Sequence, residues 1–251
     1  MTHPVMLMNT EGPSSAVVVC EHASNFIPTE YGNLGLDKHA ATSHAAWDPG
    51  ALGVTRRLAK ALDAVAVTGT ISRLVCDLNR PPSAHDASTQ KSELIKVPGN
   101  VGLSDEERAE RAAKVYEPFR RTLAAQISNT SHPVLITVHS FTPIYHGKQR
   151  DVEIGILHDA DARLADAMID IATQHTSMNV QRNEPYGPEN GVMHTLREHA
   201  VASGHLNVML EIRNDLIAQE NQQIHVAKFI ATWISEAFNT MGVEGDVQCK
   251  I

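Results

Sequence analysis

Two hydrophobic patterns alternate along the chain. Continuous, largely apolar runs at residues 16–20 (AVVVC), 134–138 (VLITV), 152–157 (VEIGIL) and 206–212 (LNVMLEI) predict buried strands, with shorter ones at 65–67 and 74–76. Between them, apolar residues recur at helical spacing. Val54, Leu58 and Leu62 follow Asp48-Pro49-Gly50, where Pro49 suits a first helical turn. Val115, Phe119 and Leu123 follow Ser104-Asp105-Glu106-Glu107, which reads as a capping box. Leu164, Met168 and Ile171 form a third stripe, and Asn214 or Asp215 is expected to cap a final helix through Ile230, Ile234 and Phe238. Residues 81–103 show no sustained period and carry three prolines and two glycines, so they read as a long surface excursion of the kind that often serves a site. Residues 183–191 are rich in turn formers.

Strands alternating with helices predict an α/β fold, a mostly parallel sheet covered by helices on both faces. The 251 residues are expected to form one domain spanning 1–251. Ligands of such sheets bind beyond the carboxyl ends of the strands. The predicted strand ends deliver Glu21 and His22, residues 77–80, His139 and Ser140, and residues 211–213 toward one edge.

Charge and composition narrow the chemistry. Twenty-one Lys and Arg against 29 Asp and Glu give a net charge of −8, which argues against a broad nucleic-acid surface. The three cysteines form no CxxC, which argues against a disulfide scaffold or a cysteine-ligated zinc ribbon and favours a reducing, cytoplasmic setting. Cys20 and Cys76 lie in apolar runs where a thiol packs inertly. No apolar run is long enough to span a bilayer, and the start MTHPVMLMNTEG lacks the pattern of a secretory signal. Phosphate-loop, dinucleotide and GxSxG elbow motifs are missing. Fourteen histidines make metal ligation the main question.

His22 and His139 follow the two most apolar strands. Neutral imidazole and carboxylate are what Zn²⁺ accepts when cysteine is absent, and the carboxylate candidates are Glu21, Asp48, Asp77 and Glu211. Glu211 sits in the apolar run VMLEI and has two readings. One is an ion pair with Arg213 on the same strand face. The other is a general base, its pKa raised by apolar surroundings, that takes a proton from the attacking water. Arg73 and Arg80 flank the 74–76 run; they either pair internally with Asp77 or Asp48 or hold an anionic substrate. Ser24 and Ser140 are poor nucleophiles here, because strand neighbours His22 and His139 point away from them.

The strings VVVCEHASNFIP, HAAWDPGA, SRLVCDLNRP, ITVHSFTP, NEPYGPENGVMHTL and LEIRNDL, in this order from about residue 16 to 216, resemble the N-formylglutamate amidohydrolase family. Glu21-His22-Ala23-Ser24 stands where the histidine-degradation enzyme of that family reads Pro-His-Ser-Gly, so the resemblance is closer to its amidohydrolase-like branch. The family is similar in fold to zinc carboxypeptidases, which implies a single three-layer α/β/α sandwich around a mixed sheet. His22 and His139 match the family's first and distant metal ligands, and Glu211 its late base. Three residues after His22, where carboxypeptidases carry a glutamate, stands Asn25, a poor ligand. The resemblance then implies Asp48 as the second ligand of one zinc ion, with Glu21 and His44 as rivals. It implies further that Arg73, Asn79, Arg80, Ser140 and His194 contact substrate, with Tyr186 in the pocket wall, and that Arg213 holds a carboxylate or the oxyanion. Residues 81–103 would form a lid. The expected activity is zinc-dependent hydrolysis of the N-formyl or N-acyl amide of a small acidic amino acid such as N-formylglutamate. The alternatives are deacylation of another N-acyl amino acid, cleavage of a small peptide, or binding of an acidic metabolite without catalysis.

Overall fold

A strand covered on both sides has no solvent face, so its sequence need not alternate. In the computed structural model, which describes residues 3–250, Ala16–Cys20 and Val134–Phe141 are buried at every position. The main elements are β1 (Val5–Met8), β2 (Ala16–Cys20), α1 (Ala51–Ala61), β3 (Val65–Gly69), α2 (Asp105–Arg111), α3 (Glu117–Asn129), β4 (Val134–Phe141), β5 (Ile154–Leu157), α4 (Arg163–Asp170), β6 (Val180–Arg182), α5 (His194–His199), β7 (Leu206–Arg213) and α6 (Glu220–Thr240). A π-helical turn, Ala112–Tyr116, joins α2 to α3.

The seven strands form one sheet in the order β1-β3-β2-β4-β7-β5-β6. Strands β3, β2, β4 and β7 run parallel; β1 opposes β3, and the β5–β6 pair opposes β7. The expected mixed, mostly parallel α/β sheet is therefore present. Alternation along each strand splits its side chains between two layers. Val18, Ile136 and Leu210 pack with α1, α4 and α6, whereas Val17, Val19, Leu135 and Met209 pack with the 112–129 stretch and α5. Trp233 of α6 is fully buried, and its indole N–H donates to the Met168 carbonyl at 2.7 Å. Each such large apolar side chain contributes roughly 1.5–3 kcal/mol by leaving water.

Several expectations need correction. Residues 74–76 are not a strand. Leu74, Val75 and Cys76 are buried, but the segment lies across the layer formed by residues 112–129 and α5. Turns and side chains satisfy its backbone: Val75 N–H bonds the Ser72 carbonyl, while Asn100 and Ser88 bond the Leu74 and Val75 carbonyls. The final helix starts later than its expected caps. Asn214 and Asp215 lie in a 3₁₀ turn, and Gln219 precedes Glu220 as N-cap. Strands β1 and β6 are short edge strands that the hydrophobic pattern did not announce. The capping box at Ser104 is formed, with Ser104 Oγ accepting from Glu107 N–H and Glu107 Oε2 accepting from Ser104 N–H.

From β2 the chain crosses to β3 on one side and later to β4 on the other. The reversal opens a crevice beyond the carboxyl ends of β2 and β4. No helix among the described residues is long and apolar enough to cross a membrane.

Candidate active site

His22 lies two residues beyond β2, and its carbonyl accepts the Asp48 N–H at 2.9 Å, which ties the residue 48 turn to the strand end. Gly50, at φ 85°, then turns the chain into α1, and a Cβ there would stand 2.4 Å from the Ile217 carbonyl oxygen. His139 comes from β4. Its Nδ1 lies 2.9 Å, and that of His22 3.4 Å, from the same oxygen, Asp48 Oδ2. All three residues are buried, and one ligand atom from each lies within 4.8 Å of the others. The outer nitrogens face carboxylates: His22 Nε2 lies 2.7 Å from Asp77 Oδ1, and His139 Nε2 lies 3.1 Å from Glu21 Oε2. The second contact is an ion-pair distance without the alignment of a good hydrogen bond. A histidine anchored through its outer nitrogen by a carboxylate turns its inner lone pair toward a cation.

Charge supports the same reading. Burial raises the Glu21, Asp48 and Asp77 carboxyls, but cationic neighbours outweigh it and hold all three below their ordinary range. For Asp77 those neighbours are Arg73 and His22, and for Asp48 they are His22 and His139. Three buried carboxylates with Arg73 as the one guanidinium at ion-pair distance leave an excess of negative charge in the site. Those charges favour the protonated forms of the histidines. Burial pushes both down, yet Glu21 and Asp48 carry His139 well above its usual value, and Asp77 and Asp48 raise His22 despite Arg73. A divalent cation would supply positive charge at the same place. With nitrogen and oxygen donors and no sulfur, the set fits zinc or a similar borderline metal with a position left open.

Glu211 of β7 is the register partner of His139. It is buried and Oε2 has no hydrogen-bond partner. Its carboxyl is pushed up to about 7, chiefly by burial, with Asp48 adding to the effect against His139. The ion pair with Arg213 does not form: Arg213 is held by Asp215 at 2.8 Å and Glu153 at 3.5 Å. On the other side of Glu211 lies Gly155, where a Cβ would come within 2.0 Å of the Glu184 carbonyl oxygen. The missing side chain lets the 184–186 segment lie against the strand and brings Tyr186 to the cavity.

The cavity above these groups has a volume of about 630 Å³, and His22, Asp48, Arg73, His139, Tyr186 and Glu211 line it. Arg73 adopts the internal pairing, reaching Asp77 Oδ2 at 2.7 Å and Asp48 Oδ1 at 3.5 Å, with its edge half-exposed to the cavity. Arg80 also lines the cavity but pairs with Asp86 at 3.1 Å. Asn79 braces the wall, donating to the Val192 carbonyl and accepting the Thr195 N–H. The Ser140 N–H points at Asp48 Oδ2, and its hydroxyl donates to the Pro49 carbonyl. Of the rival ligands, Glu21 stands behind His139 and His44 pairs with Glu93 at 2.9 Å. Asn25 is turned away, donating to the Ala41 carbonyl.

Two expected site residues fall outside. His194 is engaged behind the wall by the Tyr116 hydroxyl at 2.7 Å, and Arg213 is turned toward Asp215 and Glu153. Several cavity residues had no sequence signal, Arg150 among them. Arg150 sits in a polar loop with neither period nor motif, yet it lines the cavity.

The family model described as N-formylglutamate amidohydrolase matches residues 14–218. A solved gene product from Agrobacterium tumefaciens is 47% identical, with TM-score 0.93, covering 96% of this chain and 97% of that one. The crystal structure of N-formylglutamate amidohydrolase from Ralstonia eutropha JMP134 shares the fold at 16% identity and TM-score 0.60, covering 96% of this chain and 100% of that one. No curated protein sequence matches the chain.

Proposed function

The chain belongs to the N-formylglutamate amidohydrolase family, and from that premise we propose that it is a zinc-dependent hydrolase of the N-formyl or N-acyl amide of a small acidic amino acid, such as N-formylglutamate. The observation that carries the metal is the pair of buried histidines. Their inner nitrogens share Asp48 Oδ2, and their outer nitrogens face Asp77 and Glu21.

His22, Asp48 and His139 would hold one ion, which when bound polarises the acyl carbonyl and makes water more acidic. Asp77 and Glu21 fix the two imidazole rings. Glu211 accepts the proton of the attacking water with its carboxylate and passes it to the leaving amine nitrogen. The water oxygen adds to the carbonyl carbon, and the C–N bond then breaks as the C=O bond re-forms, giving a carboxylic acid and a free amine. Arg73 is locked by its two carboxylates and turns its remaining positive edge toward the oxyanion that develops on the carbonyl oxygen. Arg80, Asn79 and Ser140 shape the wall. A cavity of about 630 Å³ also accommodates acyl groups larger than formyl.

The test is metal analysis after purification without nickel, followed by chelation, reconstitution with zinc and assay on N-formyl, N-acetyl and N-succinyl amino acids. One equivalent of divalent metal and zinc-restored hydrolysis are expected. Full activity in protein shown to be free of metal would overturn the reading.

A further inference from the structure

We propose that Arg150 is the carboxylate clamp that makes the enzyme require a free substrate carboxylate; this rests on the hydrolase reading above. The other cavity arginines are already compensated, Arg73 by Asp48 and Asp77 and Arg80 by Asp86. Arg150 has no carboxylate at ion-pair distance among the described residues. Lys91, also a lining residue, is exposed at the rim.

The Arg150 guanidinium is half-buried and held in shape by aromatic faces. Its central carbon lies 4.4 Å from the Tyr145 ring centroid, 4.9 Å from that of Tyr186 and 5.5 Å from that of Phe141. Its end groups donate to the Thr142 carbonyl at 3.3 Å and the Tyr186 hydroxyl at 3.1 Å, which leaves the rest of the fork free. The backbone is fixed on both sides. Arg150 N–H bonds the Pro143 carbonyl, and the Arg150 carbonyl accepts from Arg213, which Asp215 and Glu153 hold. Arg213 is thus a positioning residue for Arg150.

A planar fork that is preorganised, partly desolvated and without a counter-charge is built for bidentate contact with a carboxylate. Arg150, Tyr186 and Glu211 all line the same cavity, and the Tyr186 hydroxyl accepts from Arg150, which places the clamp and the base around one space. An anion bound there would place the amide of an N-acyl amino acid within reach of the base.

The experiment measures binding by calorimetry to zinc-loaded Glu211→Gln protein, comparing N-formyl-glutamate with the derivative whose α-carboxylate is an amide. Turnover of both is followed in parallel on the unaltered enzyme. The acid should bind about 10- to 100-fold more tightly than the amide, with the difference in turnover appearing mainly in KM. Adding Arg150→Met should erase this preference while leaving metal content unchanged. Arg150→Gln serves the same purpose if the Met variant does not fold. Equal binding of acid and amide to the unaltered pocket overturns the clamp, as does a preference that survives loss of Arg150. Failure of the hydrolase reading looks different: no substrate turns over, whatever the binding preference.

Discussion

Replacing Glu211 by Gln keeps the shape of the side chain and removes its ability to take a proton, so it tests both the base and its environment. Burial moves this carboxyl from 4.5 to about 7. At ~1.4 kcal/mol per pH unit, that is worth about 3 kcal/mol. A folded-state pKa above the unfolded one contributes stability that is fully present below about 4.5 and lost as pH rises through 7. Gln does not ionise, so in metal-free protein the variant should match the wild type near pH 4 and exceed it by up to about 3 kcal/mol at pH 8. Denaturant titrations at the two pH values measure this directly, and melting should rise by roughly 6–12 °C at the higher one. In the zinc-loaded enzyme the same change should keep the metal and lower kcat by about 10²–10⁴-fold. A base works as its carboxylate, so wild-type turnover should fall as pH drops through the Glu211 pKa, which a bound dication would lower. A stability difference that does not vary with pH would refute the buried, unpartnered carboxyl. Undiminished turnover in the Gln variant would refute the base.

Alanine at His22, Asp48 or His139 should lower zinc content by about 10-fold or more without unfolding the sheet, as read by metal analysis beside circular dichroism; full occupancy in His22→Ala would remove that residue from the set. Glu21→Gln and Asp77→Asn should each weaken zinc affinity by about 10- to 100-fold through loss of ring orientation, seen by competition with a chelator. Asp77→Asn should also destabilise the protein, because Arg73 loses its nearer partner. Since the metal-free histidines hold protons at raised pKa, zinc uptake should release protons and weaken as pH falls, which calorimetry in two buffers of different ionisation enthalpy can measure. Gly155→Ala should displace the 184–186 segment, at a cost of about 1–3 kcal/mol, and raise KM with it; an unchanged KM would show that the close approach at Glu184 does not set the position of Tyr186.

The central strands and the ligand candidates were legible for one reason. A strand buried on both faces must be apolar throughout, so β2, β4 and β7 stand out, and the polar residues that end them are conspicuous. His22, His139 and Glu211 were found by that contrast. Asp48 was not, since it lies on a turn before α1, and the family resemblance pointed to it. The 74–76 run misled because burial against the outer layer needs apolar side chains as much as burial in a sheet does. Local sequence does not report which backbone partners are used. Arg150 was hidden because its environment is assembled from Phe141, Tyr145 and Tyr186, two close along the chain and the third from a distant turn. The alternation rule offered an ion pair between Glu211 and Arg213 on one strand face, and that pair does not form. The rule held for the strand but ignored Asp215 and Glu153, which draw the side chain away.

The last strand in the sequence, β7, is not at an edge of the sheet but between β4 and β5. The β5–β6 pair therefore joins the sheet only when residues 206–213 have docked, and the exposed side of β4 stays open until then. The proposed ligands and base come from positions 22, 48, 139 and 211, so almost the whole chain must be in place before they meet. Such long-range closure makes for slow folding and an intermediate prone to associate through its open strand. An ion that needs only His22, Asp48 and His139 can bind before β7 arrives, whereas Glu211 comes with it. Metal capture and acquisition of activity would thus be separable events in refolding. A stopped-flow experiment that follows zinc uptake and hydrolysis together should see the first precede the second.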